Sequence, residues 1–242
     1  MATNYSPKIV TDGLVLCVDP NDEQCWDGSS STINDLSLSG FSLTKGTHCG
    51  SGTWNGQRIF IATATSGTID TGYRYGTVNV DKVVSSASSW TISGWLLKEG
   101  NPDNWWHVWT DGVSGDIFTI YTTTGVFRTS MNATYGTWTT GSDITDYGDD
   151  WSSFSNGWVQ LVLVYDQANS QLQLYIDTVG QGWHTGRVIN TAYCIRNFYG
   201  WGSAQSSYHC DVSHSHTVVY DRILSQTEIT QNFNAHRSRF GV

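Results

Sequence analysis

Glu23, Glu99 and Glu228 are the only glutamates in the chain, and they are the first residues to test for chemistry. Hydrolysis of a glycosidic bond by the retaining route needs two carboxyls about 5 Å apart, one acting as acid and one as nucleophile. Glu23 falls in a turn-rich segment, Glu99 in KEGNPD and Glu228 in LSQTEI, so no two share a local element. No histidine adjoins a glutamate, which removes the zinc-protease pattern. GSGTWNG (50–56) has the glycine content of a phosphate loop but lacks the Lys-Ser/Thr that completes one, and reads as a flexible turn. GVSGD around Ser114 misses nucleophile-elbow spacing by one residue. The expectation is a protein that is not an enzyme.

Metal-ligand types recur in three places. Asp19, Asn21 and Glu23 alternate as at the start of a calcium loop, but the required glycine is missing. DITDYGDD reads as an acidic loop that gathers Asp143, Asp146, Asp149 and Asp150, with Asp146, Asp149 and Asp150 the candidate calcium ligands. Cys210, His214 and His216 alternate onto one face if HCDVSHSHTVV is a strand, which would offer zinc three ligands without a visible fourth. No cofactor is required by these patterns, and calcium is the ion the acidic segments would take.

Aromatic residues are the larger signal. Trp105, His107 and Trp109 fall on one face of WWHVWTDG, and Trp106 on the other. Trp183, Tyr199 and Trp201 lie near turns, with His184 beside the first. Flat rings exposed near polar side chains stack against sugars or anchor a protein partner. The competing use is core filling, and half of these rings must serve it, because one face of every strand is interior. Trp105, His107, Trp109, Trp183, Tyr199 and Trp201 are the candidate glycan- or partner-binding set.

The elements that must position these residues follow from composition and pattern. The chain has 242 residues, 38% hydrophobic and only 14% charged, with 12 Trp. A core short of Leu and Met must be filled by rings, and the exterior must be mostly Ser, Thr, Asn, Gln and Gly. The 12 basic residues are scattered and the net charge is −9, which argues against nucleic acid and against an anionic membrane surface. No apolar run approaches the roughly 18 residues of a membrane span, and MATNYSPKIV does not read as a signal peptide. Five cysteines (17, 25, 49, 194 and 210) cannot all pair, and free buried thiols are expected. The sequons at Asn4 and Asn132 carry no weight without a secretory context.

Short β-branched and aromatic segments separated by Gly, Asn, Asp and Ser predict many strands: GLVLCVD, GFSLTKG, QRIFIATA, SSWTISGWLL, WWHVWTDG, DIFTIYTT and GVFRTSM. The clearest hairpin joins Trp158–Tyr165 to Gln171–Ile176 through DQANS. In its second arm Leu172, Leu174 and Ile176 alternate with Gln171, Gln173 and Tyr175, which predicts one dry and one wet face. Ser225 and Glu228 form a capping box flanked by Leu224 and Ile229, so a helix is predicted over about 225–237. The whole chain, 1–242, reads as a single domain: all-β, a two-sheet antiparallel jelly-roll sandwich with one short C-terminal helix.

Three segments carry a family likeness. GLVLCVDPND with the following NDLSLSG resembles a "GLVL-x-LDA-x-N … DLSG" opening. WTISGWLL resembles an "FTISAW" strand, and VVYDRILSQTEITQNFNAHRSRF resembles an "IYNRALS-x-x-EI-x-x-NYN-x-x-K-x-RF" ending. The chain thus resembles, from about residue 8 to 240, the laminin-G-like branch of the concanavalin A-like lectin/glucanase superfamily, in the form found in phage and other viral structural proteins. That resemblance implies the two-sheet jelly roll and a virion context, and the Glu-x-Asp-x-x-Glu motif of the hydrolase branch is absent here. The expected role is a non-enzymatic virion-surface component, a capsid decoration or short appendage or fibre part assembled in the host cytoplasm. Its expected partners are other virion proteins, further copies of itself and a host-surface glycan. Two alternatives stay open at this point: a free calcium-dependent lectin, and a glycan-cleaving enzyme of the same fold.

Overall fold

The computed structural model describes residues 8–62, 72–75, 83–85, 87–98, 106–110, 116–120, 126–130, 144–150, 157–186, 197–199 and 212–242. Strands are numbered in chain order. One sheet runs β14 (Val179–Thr185), β13 (Gln171–Ile176), β12 (Gly157–Asp166), β7 (Trp90–Lys98), β16 (Ser213–Tyr220), β5 (Gln57–Ala62) and β4 (Cys49–Trp54), with β1 (Leu14–Val18) also paired to β16. The other runs β11 (Ile144–Asp150), β10 (Val126–Ser130), β9 (Asp116–Ile120), β8 (Trp106–Thr110), β15 (Asn197–Phe198), β6 (Tyr73–Tyr75), β3 (Ser42–Lys45) and β2 (Thr32–Asn34). Neighbours in both sheets pair antiparallel, so the predicted all-β, two-sheet antiparallel architecture holds.

The main core lies between the sheets. Leu16, Val18, Phe60, Trp90, Ile92 and Leu96 meet Ile33, Leu43, Tyr73, Val108, Trp109 and Phe198 there. β7 shows why both sides of the first sheet are dry. Trp90, Ile92 and Leu96 face the main core, while Trp95 and Leu97 point the other way and are still buried. What covers them is α1 (Gln226–Phe240). Phe233 and Phe240 stack on Trp95 with centroids 5.4 and 4.4 Å apart, and Phe240 also packs on Trp158 at 4.6 Å. Each such ring contributes about 2–3 kcal/mol by leaving water. Gly94 sits on the inner face of β7, where a Cβ would collide with the Tyr199 hydroxyl. The missing side chain lets that hydroxyl reach Thr217 Oγ1, 2.9 Å away.

The helix starts where the sequence places it. The Ser225 side chain accepts from the Glu228 amide, and the Glu228 carboxylate accepts from the Ser225 amide at 2.8 Å. Leu224 and Ile229 are buried together, as a hydrophobic staple requires. Gly241, at φ 79°, ends the helix in the left-handed conformation, so α1 runs about a turn beyond the predicted boundary. Asn232 ties three elements together. Its Oδ1 accepts from the Val10 amide (2.8 Å), its Nδ2 donates to Tyr220 Oη (3.0 Å), and Tyr220 Oη donates to the Val10 carbonyl (2.9 Å).

Three local expectations are corrected. GSGTWNG is not a flexible turn: Cys49–Trp54 is strand β4, and only Asn55 and Gly56, at φ 47° and 76°, make the turn into β5. Positive φ at both central residues is the signature of a tight hairpin turn whose twist matches its strands. The acidic stretch Ile144–Asp150 is strand β11 at the end of the second sheet, not a loop. The supposed wet face of β13 is covered as well. Gln173 and Tyr175 are buried, and Tyr175 packs with Leu224 and Ile229, residues of the α1 entry. The strand has the two faces its alternation predicts, but the helix makes both of them dry. Cys17, Cys25 and Cys49 are free and buried, as expected. Burial pushes the Cys25 and Cys49 thiols up to about 12.

Candidate functional site

Strand β14 presents the exposed ring of this surface. Trp183 is 41% exposed, whereas Trp26, Trp90, Trp95, Trp109 and Trp158 are buried and Trp54 is half-buried. Pairing of Trp183 with Gln173 puts both side chains on the same side of the sheet, since cross-strand partners share a face. Gln173 is held by Tyr175, whose hydroxyl donates to Gln173 Oε1 at 2.9 Å. That bond leaves the amide nitrogen as the donor end. From Gln171 to Thr185 the only formal charge is Asp177, and its carboxylate already accepts from the Gln160 amide at 2.7 Å. The result is a partly exposed flat indole on β14, the end strand of the first sheet, with Gln173 buried beneath it. Such a surface can stack on an apolar ring face.

The other predicted aromatics divide. Trp109 and Tyr199 are fully buried and are core residues, not surface ones. β15 pairs between β8 and β6 and sets Trp109 opposite Phe198 on the inner face, and Tyr199, at φ 56° just after the strand, turns inward as well. The side chain of His107 and the whole of Trp105 and Trp201 lie outside the described residues, as do the side chains of Asp146, Asp149 and Asp150. The backbone of β11 sets Asp146 opposite Arg128 and Asp150 opposite Val126. At the first acidic segment the three side chains do not converge as a calcium loop would require. Both Asp19 carboxylate oxygens accept from Arg239 at 2.7 and 2.8 Å, Asn21 Oδ1 accepts from the Arg58 amide at 3.1 Å, and Glu23 is exposed.

The Cys210–His214–His216 face does not form. Cys210 lies outside the described residues, and the two histidines point to opposite sides of the sheet. Ser215 pairs with Trp95 and Val218 with Ser93, so three steps on β16 match two on β7. This bulge inserts one residue and breaks the alternation. His214 therefore faces the main core, stacked on Tyr199 at 4.0 Å and on Phe60 at 5.3 Å. Its Nδ1 lies 3.1 Å from the Val212 carbonyl, its Nε2 has no partner among the described residues, and burial pushes its pKa down to about 3. Ser215 and His216 both face α1: Ser215 Oγ lies 3.2 Å from Arg239 and the His216 ring 3.7 Å from that of His236.

Sequence reasoning missed the cluster that results. Ligand atoms of Asp19, His216 and His236 all lie within 4.8 Å of one another. Cys17 Sγ is 4.0 Å from His216 Nε2. Burial pulls both imidazoles below the usual histidine range, so both are neutral near pH 7. Burial by itself would raise the Asp19 carboxyl, but its hydrogen bonds from Arg239 outweigh that and hold it below the usual range. Asp19 and Arg239 are 220 residues apart, and no local pattern marks the pairing.

No protein-family model matches the chain, and no curated protein matches it significantly. Solved structures do match in fold. The binding domain of paraclostridial mosquitocidal protein 1 aligns with a TM-score of 0.60 at 14% identity, over 93% of this chain and 52% of that one. Trypanosoma rangeli sialidase in complex with 2,3-difluorosialic acid aligns at 0.64 and 15% identity, over 94% of this chain and 34% of the sialidase. Domain 4 of an extracellular arabinanase from Geobacillus stearothermophilus, in complex with arabinotriose, aligns at 0.58 and 12% identity, over 92% and 99%. The chain thus spans about half of the first structure and a third of the second. At these identities the likeness is one of fold, a two-sheet β-sandwich.

Proposed function

We propose that this chain is a non-catalytic recognition module, part of a virion surface, which binds a neutral host glycan on the β13–β14 face around Trp183. The observation that carries this reading is the exposure of Trp183 in a molecule that otherwise buries its described tryptophans or half-buries them. A flat indole open to water offers an apolar face of the kind that stacks on a sugar ring. No Lys or Arg falls between Gln171 and Thr185, and β11, which contacts β14, is acidic in sequence, so this face suits a neutral sugar better than an acidic one. The fold neighbours lend support, since one is a domain in complex with arabinotriose and others are toxin binding domains. The virion setting rests on the sequence resemblance, and assembly with copies of itself on the low charge of the exterior. Action without bond cleavage agrees with Glu228, whose carboxylate is occupied by Arg222 and the helix cap.

The test is a glycan array probed with the purified chain and with Trp183→Ala. Binding by the wild type, weakened at least tenfold (about 1.4 kcal/mol) in a variant of unchanged melting temperature, supports the reading. Array silence, or equal binding by the variant, refutes it. Release of new reducing ends from a bound glycan would refute the non-catalytic part. Absence of the protein from every purified particle fraction would refute the virion part.

A further inference from the structure

We propose that Asp19, His216 and His236 form a zinc(II) site that clamps helix α1 to the outer face of the first sheet. The three residues come from three elements: the residue after β1, the bulge of β16 and the penultimate turn of α1. Their ligand atoms already converge to within 4.8 Å. Zinc bonds of roughly 2.0–2.1 Å in tetrahedral geometry place ligand atoms about 3.3 Å apart and imidazole centroids about 5 Å apart, so binding draws the ligand atoms in by up to about 1.5 Å and parts the His216 and His236 rings from their 3.7 Å contact. Two imidazoles and one carboxylate make a borderline donor set, which selects zinc over the oxygen-seeking calcium and magnesium.

The surroundings are those of a ligand set. His236 Nδ1 lies 3.4 Å from the Asn232 carbonyl, and donation there leaves Nε2 with a free lone pair. Arg239 holds both oxygens of Asp19, yet each carboxylate oxygen keeps a second lone pair, so the guanidinium orients the ligand without excluding the ion. Solvent completes the fourth position. The cluster lies over β1 and β16, apart from the Trp183 face on β14, so this inference stands independently of the glycan reading.

The test uses the tag-free full chain stripped of metal with a chelator. Zinc chloride is titrated in competition with a chromogenic chelator, and the melting temperature is followed in parallel. The expected result is uptake of one equivalent and a melting temperature that rises with zinc. Asp19→Asn and His236→Gln, each shown by circular dichroism to be folded, should weaken uptake more than about 100-fold, beyond what loss of an outer-shell partner costs. His48→Gln should leave it unchanged. No stoichiometric uptake by the wild type, or undiminished uptake by both folded variants, overturns the site. Should both variants fail to fold, cobalt(II) on the wild type decides: the intense visible bands of a tetrahedral ion support the site, and a weak octahedral spectrum overturns it.

Discussion

Acid should destabilise this protein through His214, and the size of the effect follows from where the ring sits. His214 stacks on Tyr199 and Phe60, also lies against Tyr73 (5.9 Å between centroids), and has no partner for Nε2 among the described residues. Burial lowers its pKa from 6.5 to about 3, so the folded protein keeps it neutral while the unfolded chain protonates it below pH 6.5. Stability is therefore fully present above about pH 6.5 and falls as pH drops toward 3. One differential proton makes the slope about 1.4 kcal/mol per pH unit, or roughly 2 kcal/mol lost at pH 5. His216 and His236 are shifted in the same direction, so the wild-type slope contains their share as well. His214→Phe isolates the one group. It retains a ring against Tyr199 and Phe60 but orphans the Val212 carbonyl, at a cost of about 1 kcal/mol at pH 7. The variant should thus start less stable, lose stability less steeply, and overtake the wild type between about pH 5 and 6. Urea denaturation at four pH values from 7 to 4 measures both slopes. Parallel slopes would show that the ring is protonated or hydrated in the folded state, and the account of the core around it would be wrong.

Two further outcomes are expected. Gly94→Ala drives a methyl into the Tyr199 hydroxyl and should cost about 1–3 kcal/mol in denaturant unfolding; an unchanged midpoint would mean that Tyr199 does not cross the core to Thr217. Glu228 is held at about 2, against an ordinary 4.5, by Arg222 first and then by the Ser225 amide. Its support is present above about pH 4.5 and lost as pH falls toward 2. Because the pair is partly exposed, Glu228→Gln should cost only about 1 kcal/mol at pH 7 and nothing near pH 2; a constant difference across that range would place the effect outside the carboxylate.

The sequence by itself determined what is local. Period-2 alternation in Gln171–Ile176, the Ser225–Glu228 spacing and the Leu224/Ile229 flank act over two to five residues, and each is found as an element of the predicted type. The aromatic surplus told that rings would fill the core, without telling which. That choice belongs to the tertiary structure. Trp109 and Trp183 look alike in sequence, yet one lies in a central pairing and the other near a sheet edge, and only the strand order separates them. His214 and His216 look like one face, yet an extra residue opposite β7 sends them to different sides. Asp19 meets Arg239, and His216 meets His236, because α1 folds back over β1 and β16 to bury Trp95 and Trp158. The burial of those rings decides where the helix lies. The polar groups it carries are brought together as a consequence, and no short-range pattern in the chain encodes that meeting.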